Sequence, residues 1–470
     1  MKEAIVLYPA ATSHQMISMV ELAKLILQHH PNISITILVA MMPFDTSTIP
    51  ARISSISQTS LPISFLSLPP PSENPPGPAA AATLGKAAFD YIRLYTPKVL
   101  DVLKAISLTS TVLAFIISTF GITYDTLIPT YLYFTSGASS FASILYLPTI
   151  HNQTTKSFKD LPNNTPLHFP GLPPIKPSHL PEPLLDRDHP AYQEFFSLGT
   201  LLPNLKGMIL NTFDMLEPQA IKAITEGACV PKGSTPPLYC IGPRIVDAKQ
   251  RGVSDDALSK CLLWLDKQPS QSVVFLCFGR KGAFSAPQLK EIAFGLERSK
   301  QRFMWVVRNP PPNSDTEPDL EELMPEGFLE RTKERGLVLK SWAPQAAILS
   351  HQAVGGFVTH CGWNSVLEAV TYGVPMLPWP LYAEQKLNSV VLAEEIKLTP
   401  MPILTEDGKG GVVSSEEVER KVRELMGLEG KRFRESSSMM KIMAMAAWTN
   451  GGSSFTALSK LVASWKQEQS

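Results

Sequence analysis

The stretch from Trp342 to Gln385 collects the residue types a nucleotide-sugar site needs. Val354–Thr359 (VGGFVT) is a short apolar run and reads as a buried strand. His360, Cys361, Gly362, Trp363, Asn364 and Ser365 form a small polar turn, and Val366–Tyr372 reads as a helix ended by Gly373 and Pro375. A strand that turns through glycine into a helix aims backbone N–H groups at one point. Hydrogen bonding and the helix dipole make that point favourable for a phosphate. His360, Asn364 and Ser365 add side-chain donors there. Trp342 offers a flat face to a base, and Glu368 can accept from ribose hydroxyls. Glu384 and Gln385 close the stretch in what reads as a loop, with side chains suited to sugar hydroxyls.

Taken whole, WAPQAAILSHQAVGGFVTHCGWNSVLEAVTYGVPMLPWPLYAEQ resembles, nearly position for position, the C-terminal signature of plant UDP-sugar-dependent glycosyltransferases of small molecules. The likeness extends over nearly the whole chain and is strongest to the flavonoid and chalcone branch. It implies that Trp342, followed by Ala343, takes the uracil, and that Gln345 and Glu368 serve the ribose. It places His360, Asn364 and Ser365 on the pyrophosphate, and Trp363, Glu384 and Gln385 on the sugar. Trp363 with a terminal Gln385 implies UDP-glucose as donor, with no metal.

The same resemblance implies a general base just after the first strand, a His oriented by an Asp at the end of a later strand. Here the His position holds Gln15, with His14 one residue early, and the Asp position holds Ser118. Gln15 cannot take a proton. A one-residue shift moves a Cα by about 3.8 Å, so His14 serves only if its loop slips. Asp125 lies in the shortened segment after Ser118 and is the candidate substitute acid. On the donor side, Gly279-Arg280-Lys281-Gly282 stands where the family has Gly-Ser. Arg280 can clamp a pyrophosphate or fill its pocket, and the sequence does not choose.

Around these residues the chain reads as alternating strands and helices, hence parallel sheets. The first strand is Ala4–Tyr8, followed by a loop through Ser18 and a helix over Met19–His29. Further strands fall at Ser34–Ala40, Val112–Ser118 and Thr130–Phe134, with a Pro-rich loop at Leu68–Ala81. The pattern restarts after PKGSTPP, and strands follow at Ser272–Phe278, Arg302–Val307 and Gly336–Lys340. The expected architecture is α/β and GT-B-like: two Rossmann-like β-α-β domains facing across a cleft. Residues 1–241 form the acceptor domain, 242–448 the nucleotide-sugar domain, and 449–470 a helix returning to the first.

The 470 residues suffice for two domains. Lys+Arg and Asp+Glu are both 42, so charge gives no case for nucleic acid or an anionic membrane. Cys229, Cys240, Cys261, Cys277 and Cys361 are odd in number and lack metal-type spacing, which points to a reduced, cytoplasmic protein. A monomer taking a phenolic or aromatic small molecule is expected. Three readings follow: a UDP-glucose-dependent transferase, a repurposed scaffold doing sugar-independent chemistry such as cyclisation, isomerisation or addition, and a binding protein without catalysis.

Overall fold

In the computed structural model the described residues are all except 1, 10–12, 41–52, 54–60, 72–83, 120–125, 246–254, 313–315, 405–410 and 468–470. The expected loop at Leu68–Ala81 therefore lies largely outside them. The chain divides into two compact units. One contains Met1–Leu172, Glu182–Val246 and Ala447–Ser470, and the other Pro173–Pro181 and Asp247–Ala446.

The first unit is built on seven strands: β1 (Lys2–Tyr8), β2 (Ser34–Val39), β3 (Ile63–Ser67), β4 (Ser110–Ser118), β5 (Thr130–Phe134), β6 (Gly207–Leu210) and β7 (Leu238–Cys240). They form one sheet in the order β3-β2-β1-β4-β5-β6-β7, every neighbour pair parallel. Both faces are covered, which is why these strands read as continuous apolar runs. On one face Ile5, Leu7, Ile35 and Ile116 pack with Met16, Met19 and Ala23 of the helix Ser13–His29 and with Leu461 and Trp465 of the last helix, Ser453–Gln467. On the other, Val6, Phe115 and Leu132 pack with Tyr95 and Phe141 from helices Leu84–Ser107 and Ala138–His151.

The second unit holds β8 (Val273–Cys277), β9 (Arg302–Val307), β10 (Gly336–Lys340), β11 (Val354–Thr359) and β12 (Met376–Pro378). Their order is β10-β9-β8-β11-β12, again all parallel. In each sheet the strand order reverses once, between β1 and β4 and between β8 and β11. Such reversals open a crevice outside the carboxyl ends of the strands.

Three local expectations are corrected. The first helix begins at Ser13, so the loop after β1 is short and Gln15 sits in a helical turn. The apolar period starts at Met16, with Met19, Val20 and Ala23 following it into the core. The helix after β11 begins at Trp363, because Trp363 itself starts the buried i, i+3, i+4 stripe with Val366 and Leu367. Glu384 and Gln385 are not loop residues: they are the N-cap and first residue of a helix, Gln385–Val390. That helix and β12 are too short to show a period in the sequence. No described helix is long and apolar enough to cross a membrane.

Candidate active site

The reversal between β8 and β11 brings the anion-binding candidates together. β11 delivers His360 at its carboxyl end, and β8 delivers Gly279 at the end of the neighbouring strand. A Cβ built at Gly279 would lie 2.5 Å from His360 Nε2, and one at Gly362 would lie equally close, so the imidazole fits only between two glycines. Gly279 also has φ +74, a conformation that glycine adopts without strain. His360 is 7% exposed, and its Nδ1 has no hydrogen-bond partner among the described residues. Burial pulls its pKa down to about 4, so the ring is neutral at pH 7.

After His360 the chain makes an unusual turn. Cys361 has φ +61, which costs a non-glycine residue energy unless neighbours hold it. Its N–H donates to Thr359 Oγ1 (3.3 Å), and its carbonyl accepts from Asn388 Nδ2 (3.1 Å). Burial pushes the Cys361 thiol well above its ordinary value, so it is a packed thiol and not a nucleophile. Gly362 then stands at the N-cap of the helix Trp363–Tyr372 without a side-chain cap. The first backbone N–H groups of such a helix have no intrahelical partner. Trp363 and Ser365 are buried and Asn364 is half-buried.

Gln345, Ser365 and Glu368 form one buried polar group. Gln345 Nε2 donates to Ser365 Oγ at 2.9 Å and to Glu368 Oε2 at 2.7 Å, and Glu368 is fully buried. Trp342 is 41% exposed, against about 5% for Ala343 beside it. Ser341, with φ +60 and its carbonyl held by Arg308 Nη1 (2.9 Å), turns the chain before it. Gln385 Oε1 accepts the backbone N–H groups of Leu381 (2.9 Å) and Tyr382 (3.0 Å). Two donors on that atom fix the amide orientation and make the other end of Gln385 a donor. Burial raises the Tyr382 hydroxyl pKa, while hydrogen bonds from Gln385 and the Lys281 backbone draw it down. Tyr382 thereby ties residues 279–282 to the helix of Gln385. Glu384 is half-buried, and Arg280 is exposed on its turn.

The reversal between β1 and β4 carries the other candidates. The register pairs Tyr8 with Ile117, so Ser118 ends its strand beside the exit of β1. Alternation puts Ser118 on the face of Ile116, the face covered by the helix Ser13–His29. Ser118 is fully buried, and Gln15, in the first turn of that helix, is 6% exposed. Both occupy the crevice end of the same sheet face. His14 lies in that helical turn, but its side chain lies outside the described residues, as does Asp125.

Sequence reasoning missed Asn388, Tyr382, the close approach of Gly279 to His360 and the backbone of Cys361. Asn388 left one faint signal, a poor helix former in a segment that is helical. The left-handed Cys361 left none. Among the described residues no group of three or more His, Cys, Asp or Glu could hold a metal ion.

Residues 253–407 match the family model described as UDP-glucoronosyl and UDP-glucosyl transferase. The chain is 46% identical over 466 residues to UDP-glycosyltransferase 88B1 of Stevia rebaudiana, with 98% of each chain covered. It is 47% identical to a phloretin 2'-O-glucosyltransferase of Malus domestica, covering 99% of this chain and all of that one. The solved structure of Phytolacca americana UGT2 with UDP-2fluoro-glucose and pterostilbene superposes with TM-score 0.85 at 34% identity, covering 99% of this chain and all of that one. These relatives identify a UDP-sugar-dependent glycosyltransferase of GT-B fold, and the two all-parallel sheets, each with one order reversal, agree with it. The chain belongs to the UDP-glucoronosyl and UDP-glucosyl transferase family.

Proposed function

We propose that this enzyme transfers glucose from UDP-glucose to a hydroxyl of a phenolic plant metabolite, with inversion at the sugar carbon. The observation that carries the reading is the joined buried set of Gln345, Ser365 and Glu368 beside the His360 cradle. In this reading Trp342 and Ala343 take the uracil, and Gln345 and Glu368 the ribose. The helix start with His360, Asn364 and Ser365 takes the pyrophosphate, and Trp363, Glu384 and the amide nitrogen of Gln385 take the glucose. The neutral His360 donates one hydrogen bond without bringing a charge. Arg280 supplies positive charge from an exposed turn and clamps the diphosphate. The donor belongs to the second unit and the acceptor to the first.

The acceptor oxygen forms a bond to the sugar carbon, the carbon–phosphate oxygen bond breaks, and UDP leaves with that electron pair. Gln15 and Ser118 orient the acceptor but cannot take its proton near pH 7. The acceptor proton passes to solvent water before attack, which a phenol (pKa about 10, like tyrosine) allows far more readily than an alkyl alcohol. The names of the relatives support that class: phloretin for the Malus enzyme and pterostilbene in the Phytolacca complex.

The test incubates the purified chain with UDP-glucose and a panel of phenols, and reads a mass gain of one hexose and release of UDP. No product from a wide panel, with no affinity for UDP, overturns the proposal. Gln15 and Ser118 in the base and acid positions favour one second reading, a sugar-independent reaction in the acceptor crevice. Turnover of a phenolic substrate without any UDP-sugar would establish it.

A further inference from the structure

We infer that Asn388, outside the signature stretch, is the positioning residue that aims the phosphate-binding turn; the inference rests on the donor site proposed above. Asn388 is 2% exposed on the helix Gln385–Val390. Its Nδ2 donates to the Cys361 carbonyl at 3.1 Å across 27 residues of sequence.

A peptide unit is planar, with its C=O and N–H pointing in opposite directions. Holding the Cys361 carbonyl on one side therefore sends the Gly362 N–H to the other, ahead of the N–H groups that open the helix Trp363–Tyr372. Cys361 needs this anchor because it sits at φ +61, where an L-residue does not rest unaided. Its N–H and thiol have anchors of their own, and the Trp379 backbone also hydrogen-bonds the thiol. The N–H bonds Thr359 Oγ1 at 3.3 Å, and the thiol lies 3.8 Å from the Thr359 carbonyl. Asn388 is the partner that holds the carbonyl, the group sharing a peptide plane with the Gly362 N–H. Asn388 N–H bonds the Glu384 carbonyl at 2.9 Å, so the helix that starts with Gln385 also sets the direction of the turn. One rigid helix thus serves two ligand groups: Gln385 at its start for the sugar, and Asn388 one turn on for the diphosphate.

Two variants separate positioning from bulk packing. Asn388→Asp keeps the shape but replaces the donor with a carboxylate that repels the Cys361 carbonyl. Asn388→Ser shortens the reach. Calorimetry with UDP and with uridine reads the effect, and initial rates read KM for UDP-glucose against kcat. The expected result is a tenfold or larger loss of UDP affinity in both variants, with uridine affinity within twofold of the parent. KM for UDP-glucose rises with it, and the thermal midpoint stays above assay temperature. Equal losses for UDP and uridine, no loss for either, or variants that do not fold would each overturn the inference and assign Asn388 to packing. A parent chain that binds no uridine nucleotide would overturn the donor reading itself, whatever the variants do.

Discussion

The two strand-order reversals are built alike and equipped differently. At β8/β11 the site is held by buried polar contacts between residues far apart in sequence: Gln345 to Glu368 and Asn388 to Cys361. At β1/β4 the comparable positions are Gln15 and Ser118, both buried and neither able to exchange a proton near pH 7. In the proposed reading, binding equipment is kept at one reversal, while at the other the proton-handling positions hold Gln15 and Ser118. On that reading, holding a nucleotide and moving a proton are separable tasks carried by separate sheets.

On the proposed reading, the largest expected effect comes from placing a base at position 15. Gln15→His, alone and with Ser118→Asp, should raise kcat about 10²- to 10⁴-fold on weakly acidic acceptors, the usual worth of a placed general base. Phenols that ionise near neutrality should gain least. Rates of hexose transfer across acceptors of graded acidity measure this, and a flat response would break the contrast between the two reversals.

Next is acid stability. The folded His360 pKa is near 4 against an ordinary 6.5, so between these values the unfolded chain binds more protons. Stability from this residue is complete above about pH 6.5 and is lost as pH falls toward 4, by about 3 kcal/mol in all. Denaturant unfolding of the parent and of His360→Phe over pH 4–7 should show a shallower acid slope in the variant. Gln15 and Ser118 contribute nothing to that slope.

Removing the buried carboxylate comes third. Glu368→Ala should weaken UDP and uridine together by about 10- to 100-fold, the cost of losing a buried hydrogen-bonding group and leaving Gln345 short of an acceptor. Calorimetry with both ligands tests it, and a loss confined to UDP would move Glu368 away from the ribose. The smallest effect is that of Arg280→Ser, an exposed charge screened by water. About tenfold weaker UDP binding at low salt, fading as salt rises, fits a clamp. Tighter binding in the variant would identify Arg280 as an obstruction.

Much of this was legible beforehand for a local reason. Val354–Thr359, Arg302–Val307 and Gly336–Lys340 have the bounds that apolar period and flanking breakers suggest, because period and breakers act within a few residues. Helix starts were read late at Ser13 and Trp363, where the first turn carries polar residues and the apolar stripe is only beginning.

The amino-acid sequence by itself determined the strand–helix alternation, the parallel sheets and the strand–glycine–helix turn within Trp342–Gln385, since these rest on residue type and short-range spacing. Only the tertiary structure decided that Gly279 lies against His360, that Asn388 holds the Cys361 carbonyl, and that Pro173–Pro181 belongs with the second unit. Those pairings join residues far apart along the chain. Their partners are chosen by which strand ends packing makes neighbours, and that choice leaves no mark in local spacing.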